Sequence, residues 1–75
     1  MAIEYRILKE GGTVSKTDSG WTLEINLISF NGLEAKYDIR QWSPGRERMS
    51  KGVRLGKNEL EVLIELAQQM LSEDS

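Results

Sequence analysis

The sequence predicts an α+β fold, four β-strands followed by one C-terminal α-helix, and three observations carry that expectation. Residues 21–42 hold two alternating segments around Asn31-Gly32, the preferred residue pair for a tight hairpin turn. Residues 57–72 carry apolar side chains three and four positions apart, the period of a helix. The flanking stretches, 3–17 and 52–55, are extended in pattern and set off by Gly, Ser, Asp and Pro turns. At 75 residues the chain makes one domain, residues 1–75, with the sheet over about 3–55 and the helix over about 57–72.

The first strand opens with Ile3, Tyr5 and Ile7 at alternate positions, and after Gly11-Gly12 the apolar position changes parity to Val14. Such a phase flip marks a tight turn or a bulge; the bulge is the better reading, because the next strand is long and needs a long partner. Thr17-Asp18-Ser19-Gly20 reads as a turn. From Trp21 to Phe30, residues Trp21, Leu23, Ile25 and Leu27 face the expected core, and Thr22, Glu24 and Asn26 face away. The third strand, Glu34 to Trp42, returns antiparallel with Ala35, Tyr37 and Ile39 on the core side. Ser43 to Ser50, with Pro44-Gly45, is a loop, and Gly52 to Leu55 is a short fourth strand. Gly56 is an acceptable N-cap with Glu59 at the third helical position; the helix is expected to end near Ser72 and the tail Glu73-Asp74-Ser75 to fray.

The helix carries an apolar stripe of Leu60, Leu63, Ile64, Ala67, Met70 and Leu71. Val62 and Leu66 widen it beyond the arc that one small sheet covers. Each Leu or Val buried is worth about 1.5–3 kcal/mol, so the uncovered flank drives association. A helix-mediated homodimer is the expectation; the competing reading is a sheet curled enough to cover the stripe within one chain. Glu61, Glu65, Gln68 and Gln69 mark the solvated side.

Cysteine and histidine are both absent, which removes disulfides, thiolate catalysis and the usual zinc ligands. The glycines form no phosphate-cradling motif, so a non-enzyme is expected, without metal, cofactor or small-molecule substrate. No apolar run approaches the roughly 18 residues of a membrane span, and the first residues lack the pattern of a signal peptide. A cytoplasmic protein with no membrane partner is expected.

The net charge is −2, but it is unevenly placed. Lys36, Arg40, Arg46, Arg48, Lys51, Arg54 and Lys57 face only Asp38 and Glu47 within residues 36–57, a local excess of +5, against −7 elsewhere. Local field matters more than total charge when a polyanion docks. Alternation puts Lys36, Arg40 and Trp42 on one side of the third strand. Phe30 lies on the same non-core phase of its own strand, while Arg46 and Arg48 occupy the loop and Lys51 and Arg54 border the fourth strand. Cations spaced along a strand follow a phosphate backbone, and an aromatic ring stacks on any base for about 1–3 kcal/mol. The acidic, apolar helix is unsuited to the major groove, so a single strand is the better ligand. Two alternatives stay open: Trp42 as a core residue, and Asp38 as a neutralising partner of its basic neighbours.

At these residues the chain resembles the positive cofactor 4 family of transcriptional coactivators, especially its small bacterial members. The resemblance rests on NLISFNG, KYDIRQW and MSKGVRL between Asn26 and Leu55, followed by a helix of similar length. It implies a curved four-stranded antiparallel sheet backed by one helix, paired through the helices into a dimer whose sheets hold single-stranded DNA with little sequence preference. Phe30 and Trp42 match positions expected to stack on bases, and Lys36, Arg40, Lys51 and Arg54 match or neighbour basic positions. The segment DIRQW has one aromatic where the eukaryotic coactivator has two, and no basic, serine-rich arm is present, so the coactivator role is not expected to carry over. Single-stranded DNA is thus the expected partner, with RNA, or an acidic protein docked by a dimer, as the alternatives.

Overall fold

The computed structural model describes residues 4–74; Met1, Ala2, Ser75 and the expected strand residue Ile3 lie outside them. Four strands, β1 (Tyr5–Lys16), β2 (Thr22–Phe30), β3 (Lys36–Trp42) and β4 (Val53–Leu55), precede one helix, α1 (Lys57–Glu73). The strands form a single open, curved antiparallel sheet in the order β1-β2-β3-β4. The expected fold class is therefore the observed one.

The Gly11-Gly12 pair lies inside one continuous strand. β1 pairs with β2 from Tyr5↔Phe30 to Lys16↔Thr22, and its register breaks at three places, one of them between Glu10 and Gly12. Gly11 is where the two strands run closest: a Cβ there would collide with the carbonyl oxygen of Ile25. Asn31 and Gly32 adopt φ of 52° and 75°, the positive values a mirror-image hairpin turn requires, and Leu33 N–H closes the turn on Phe30 C=O at 2.9 Å. The ladder itself resumes only at Ile28↔Lys36. The connection is thus longer than the two-residue turn expected, and across it the Ser29 hydroxyl donates to the Leu33 carbonyl at 2.5 Å.

Helix α1 begins where capping chemistry placed it. The Gly56 N–H donates to the Glu59 carboxylate at 2.8 Å, and Leu60 N–H donates to Gly56 C=O at 3.0 Å. Its C-terminus runs one residue beyond the expected end, through Glu73, with Asp74 N–H donating to Met70 C=O.

The two faces of the sheet are filled in the reverse of the expected sense. Trp21, Leu23, Ile25, Leu27, Ala35, Tyr37 and Ile39, expected as core, are only half-buried. The tightly buried residues are Ile28, Phe30 and Trp42, with Tyr5, Ile7 and Met49 packed against them. Alternation fixes which residues share a face; which face is covered depends on curvature and on what lies above it. Register breaks bend and twist a strand, and the bent β1 brings Tyr5 and Ile7 over Ile28 and Phe30, while Met49 reaches in from the loop after β3. Helix α1 takes the opposite face, where it leaves an open groove of about 630 Å³ between Ile39, Val53 and Leu55 on the sheet and Val62, Leu63 and Leu66 on the helix. None of the helix's residues is buried.

Candidate nucleic-acid interface

The curled face is built on an aromatic row. The Tyr5 ring lies 6.0 Å from Phe30 and 5.3 Å from Trp42, centroid to centroid, tilted in both cases, within the favourable range for aromatic pairs. Strand pairing accounts for the first contact, since Tyr5 and Phe30 are direct partners across β1 and β2. Trp42 pairs with Thr22 at the other end of β2, so it is the curl of the sheet that brings it to Tyr5. Arginines cover the row. The guanidinium carbons of Arg40 and Arg54 each sit 4.7 Å from the Phe30 centroid, and that of Arg46 sits 5.6 Å from Trp42, all within cation–π reach.

Those arginines are anchored by acids and carbonyls of the same chain. Arg40 binds Asp38 through two hydrogen bonds of 2.7 and 2.6 Å, a bidentate pair whose carboxylate is 0% exposed. A third nitrogen of Arg40 lies 3.1 Å from the Met49 sulfur. Gly52 makes room for this arrangement, since a Cβ there would stand 2.7 Å from the Arg40 Cβ. Arg54 donates to the Ile28 carbonyl at 3.0 Å. Arg46 bridges two strands, at 3.0 Å to Glu10 on β1 and 2.8 Å to Glu24 on β2.

Glu24 is the hub of a buried polar chain. It accepts from the Thr22 hydroxyl at 2.6 Å, from Asn26 Nδ2 at 3.3 Å and from Arg46, while Asn26 Oδ1 accepts the Gly11 N–H at 3.2 Å. Burial alone would push the Glu24 carboxyl up; the hydrogen bonds from Thr22, Arg46 and Asn26 and the charge of Arg46 outweigh it and hold the group below its ordinary 4.5. Arg46 is correspondingly raised, chiefly by its bond to Glu24. A carboxyl depressed in the folded state adds stability above its unfolded value, lost as pH falls through the folded one. Glu24→Gln is therefore expected to lower the unfolding midpoint at neutral pH, with the gap to wild type closing below 4.5. Thermal unfolding of both proteins across that pH range checks it; a gap constant with pH would mean that the Glu24 charge contributes nothing.

The expected site residues thus divide into three groups. Phe30 with Arg40 and Arg54, and Trp42 with Arg46, are drawn into one cluster through Tyr5. Phe30 is 8% exposed and Trp42 0%, so the open stacking platform expected of these two rings is not what this conformation presents; Tyr5, Met49 and the arginines take up the space above them. Lys36, Arg48 and Lys51 form the third group, exposed and in no ion pair among the described residues. Sequence reasoning passed over Tyr5, Glu10, Glu24, Asn26 and Met49. A usable signal existed for Glu24: the hairpin register puts it directly opposite Arg40, an acid facing a base rather than water, although the arginine it binds is Arg46.

The model of the family described as Transcriptional Coactivator p15 (PC4) matches residues 17–66, more than half of the chain. The chain belongs to the PC4 family. The chain is also 44% identical over 66 residues to an uncharacterized protein of Treponema pallidum (strain Nichols), a match spanning 88% of this chain and 78% of the other. The family is one of nucleic-acid binding and coactivation, and at that level nucleic acid is the partner class. The match takes in β2, β3, β4 and the first part of α1, and with them every acid and base of the aromatic cluster except Glu10. Among the described residues, no helix is long and apolar enough to cross a membrane, and no group of three or more acids could hold a metal.

Proposed function

We propose that this chain binds single-stranded DNA with little sequence preference, as a homodimer and without catalysing a reaction, in transcription, replication or repair within the cytoplasm. The observation that carries the reading is the set of free cations, Lys36, Arg48 and Lys51, around an aromatic–arginine cluster on the sheet of a PC4-family domain. Flexible single strands satisfy such a surface, since phosphates reach dispersed cations and bases find aromatic neighbours. The test is anisotropy of a labelled oligo-dT of about 20 nucleotides at two salt concentrations. Saturable, salt-sensitive binding that duplex DNA competes poorly is expected. A strong preference for the matching RNA would move the reading to RNA, and no binding at tens of micromolar protein would sink it in favour of an acidic protein partner.

The ion pairs sharpen which cations matter. Lys36→Ala and Lys51→Ala are each expected to reduce the slope of log affinity against log salt by about 0.7, the value for one phosphate contact on a single strand. Arg40, already bound to Asp38, is expected to change the slope far less. Equal slopes for the lysine variants and wild type would take those lysines off the contact surface.

The homodimer reading is supported by α1. Leu60 is half-buried, whereas Leu63, Ile64, Ala67, Met70 and Leu71 are exposed, Met70 and Leu71 at 67% and 70%. An apolar stripe of that size flanking an open groove is far more apolar than a helix flank left in water tolerates. Sedimentation is expected to give twice the chain mass, and Leu66→Glu, which puts a charge into the groove, to return it to one. A wild-type chain that sediments as a monomer at all concentrations would end this reading.

A further inference from the structure

The loop between β3 and β4 is folded back on the aromatic row in a way that its own geometry does not favour. Gly45 and Arg46 both have positive φ, 71° and 57°. For glycine this is ordinary, but an arginine in the left-handed region is held there by something else. The holding contacts are plain: Ser43 N–H to Arg48 C=O at 3.0 Å, Arg46 N–H to Ser43 C=O at 2.9 Å, Arg48 N–H to Ser43 Oγ at 2.7 Å, and the two ion pairs of Arg46 to Glu10 and Glu24. The result sets the Arg46 guanidinium beside the Trp42 ring, within the range at which a cation binds the face of an indole. A second observation is independent of the first. The indole N–H of Trp42 is buried and has no hydrogen-bond partner among the described residues, so the ring carries a donor that this closed arrangement leaves unused.

We propose that Arg46 masks a base-stacking site on Trp42, and that a single-stranded nucleic acid opens it by drawing the guanidinium from Glu10 and Glu24 onto a backbone phosphate. The exchange is between like partners. Arg46 gives up one carboxylate at each terminal nitrogen and takes a phosphate, which a guanidinium grips through two nitrogens at once. The weaker hold is Glu10, whose side chain is 67% exposed and screened by solvent, whereas Glu24 sits in the buried chain. As the loop lifts, Trp42 gains a base over its face and its N–H gains access to a base carbonyl. The free protein thereby keeps a large aromatic surface out of water until a ligand is present. This inference rests on the single-strand reading above and adds to it the residue that controls access.

The experiment uses Trp21→Phe, which leaves Trp42 as the sole tryptophan, with Glu10→Gln added to loosen Arg46. Glu47→Gln is the control, an exposed acid of the same loop in no ion pair among the described residues. Glu10→Gln is expected to raise acrylamide quenching of Trp42 in the free protein and to tighten oligo-dT binding about threefold to fivefold more than Glu47→Gln does. Oligo-dT is expected to quench Trp42 in every variant. If oligo-dT binds but Trp42 emission stays unchanged, or if Glu10→Gln and Glu47→Gln behave alike, the mask is overturned while the single-strand reading stands. If oligo-dT binds neither wild type nor Trp21→Phe, both fall together.

Discussion

Trp42→Ala is expected to cost about 3–5 kcal/mol of folding stability, the range for removing a fully buried large aromatic side chain. A domain of this size holds on the order of 4–11 kcal/mol in total, at roughly 0.05–0.15 kcal/mol per residue, so the variant stands close to unfolding. The indole belongs to the tightly buried cluster, against Tyr5 and Met49 and beside the Arg46 guanidinium. Urea denaturation measures the loss directly, and a change under about 1 kcal/mol would show that the ring is not packed as described. Loss of nucleic-acid binding in this variant would then report the fold as much as the contact. Trp42→Phe separates the two. It keeps most of the apolar volume and removes a buried donor that has no partner, whose burial itself costs about 1–3 kcal/mol. This variant is expected to remain folded and to bind oligo-dT more weakly, because phenylalanine is the poorer stacking surface.

The second large effect is expected at Arg40. Arg40→Met leaves the Asp38 carboxylate, fully buried, without its bidentate partner, and breaking a buried pair from one side costs about 3–5 kcal/mol. Replacing both members together is far milder, since no charge is then stranded. Asp38→Asn combined with Arg40→Met is therefore expected to recover a substantial part of the loss, with the non-additivity read from a double-mutant cycle in urea. Additive losses would mean that the two side chains act independently. The prediction bears on the role that the sequence suggests for Arg40. A cation bound on one side by Asp38 and lying 4.7 Å from the Phe30 centroid is placed to hold the curled face together, whereas Lys36, Arg48 and Lys51 are exposed and in no ion pair among the described residues.

Much of this was legible in the residues and some was not, for identifiable reasons. The Asn31-Gly32 turn, the Gly11-Gly12 bulge and the Gly56–Glu59 cap are local chemistry, fixed by a few neighbouring residues, and each appears where the sequence put it. Which sheet face closes is a long-range property. The sequence of β2 shows Leu23, Ile25 and Leu27 on one side and Glu24, Asn26, Ile28 and Phe30 on the other, and a count of apolar residues favours the first. The second closes because Glu24 meets Arg46 from the loop and Tyr5 and Met49 pack against Ile28, Phe30 and Trp42, partners far away in the chain. The same distance hides the fate of Trp42. Its parity correctly puts it with Lys36 and Arg40, and nothing local says that Tyr5 and Met49 will cover it.

The irregularity of β1 bears on how the molecule avoids its own kind. β1 is the outermost strand of the sheet and twelve residues long, so one whole side of its backbone is unpaired, and a long open edge is the usual seed of fibrous polymer. Register slips at Ile7/Lys9, Glu10/Gly12 and Thr13/Ser15 divide it into short runs, each bent away from the next, so an incoming strand finds no straight stretch along which to zip. Exposed Lys9, Glu10 and Lys16 add charge to the same edge. An open sheet is in this way kept from lengthening by templated addition.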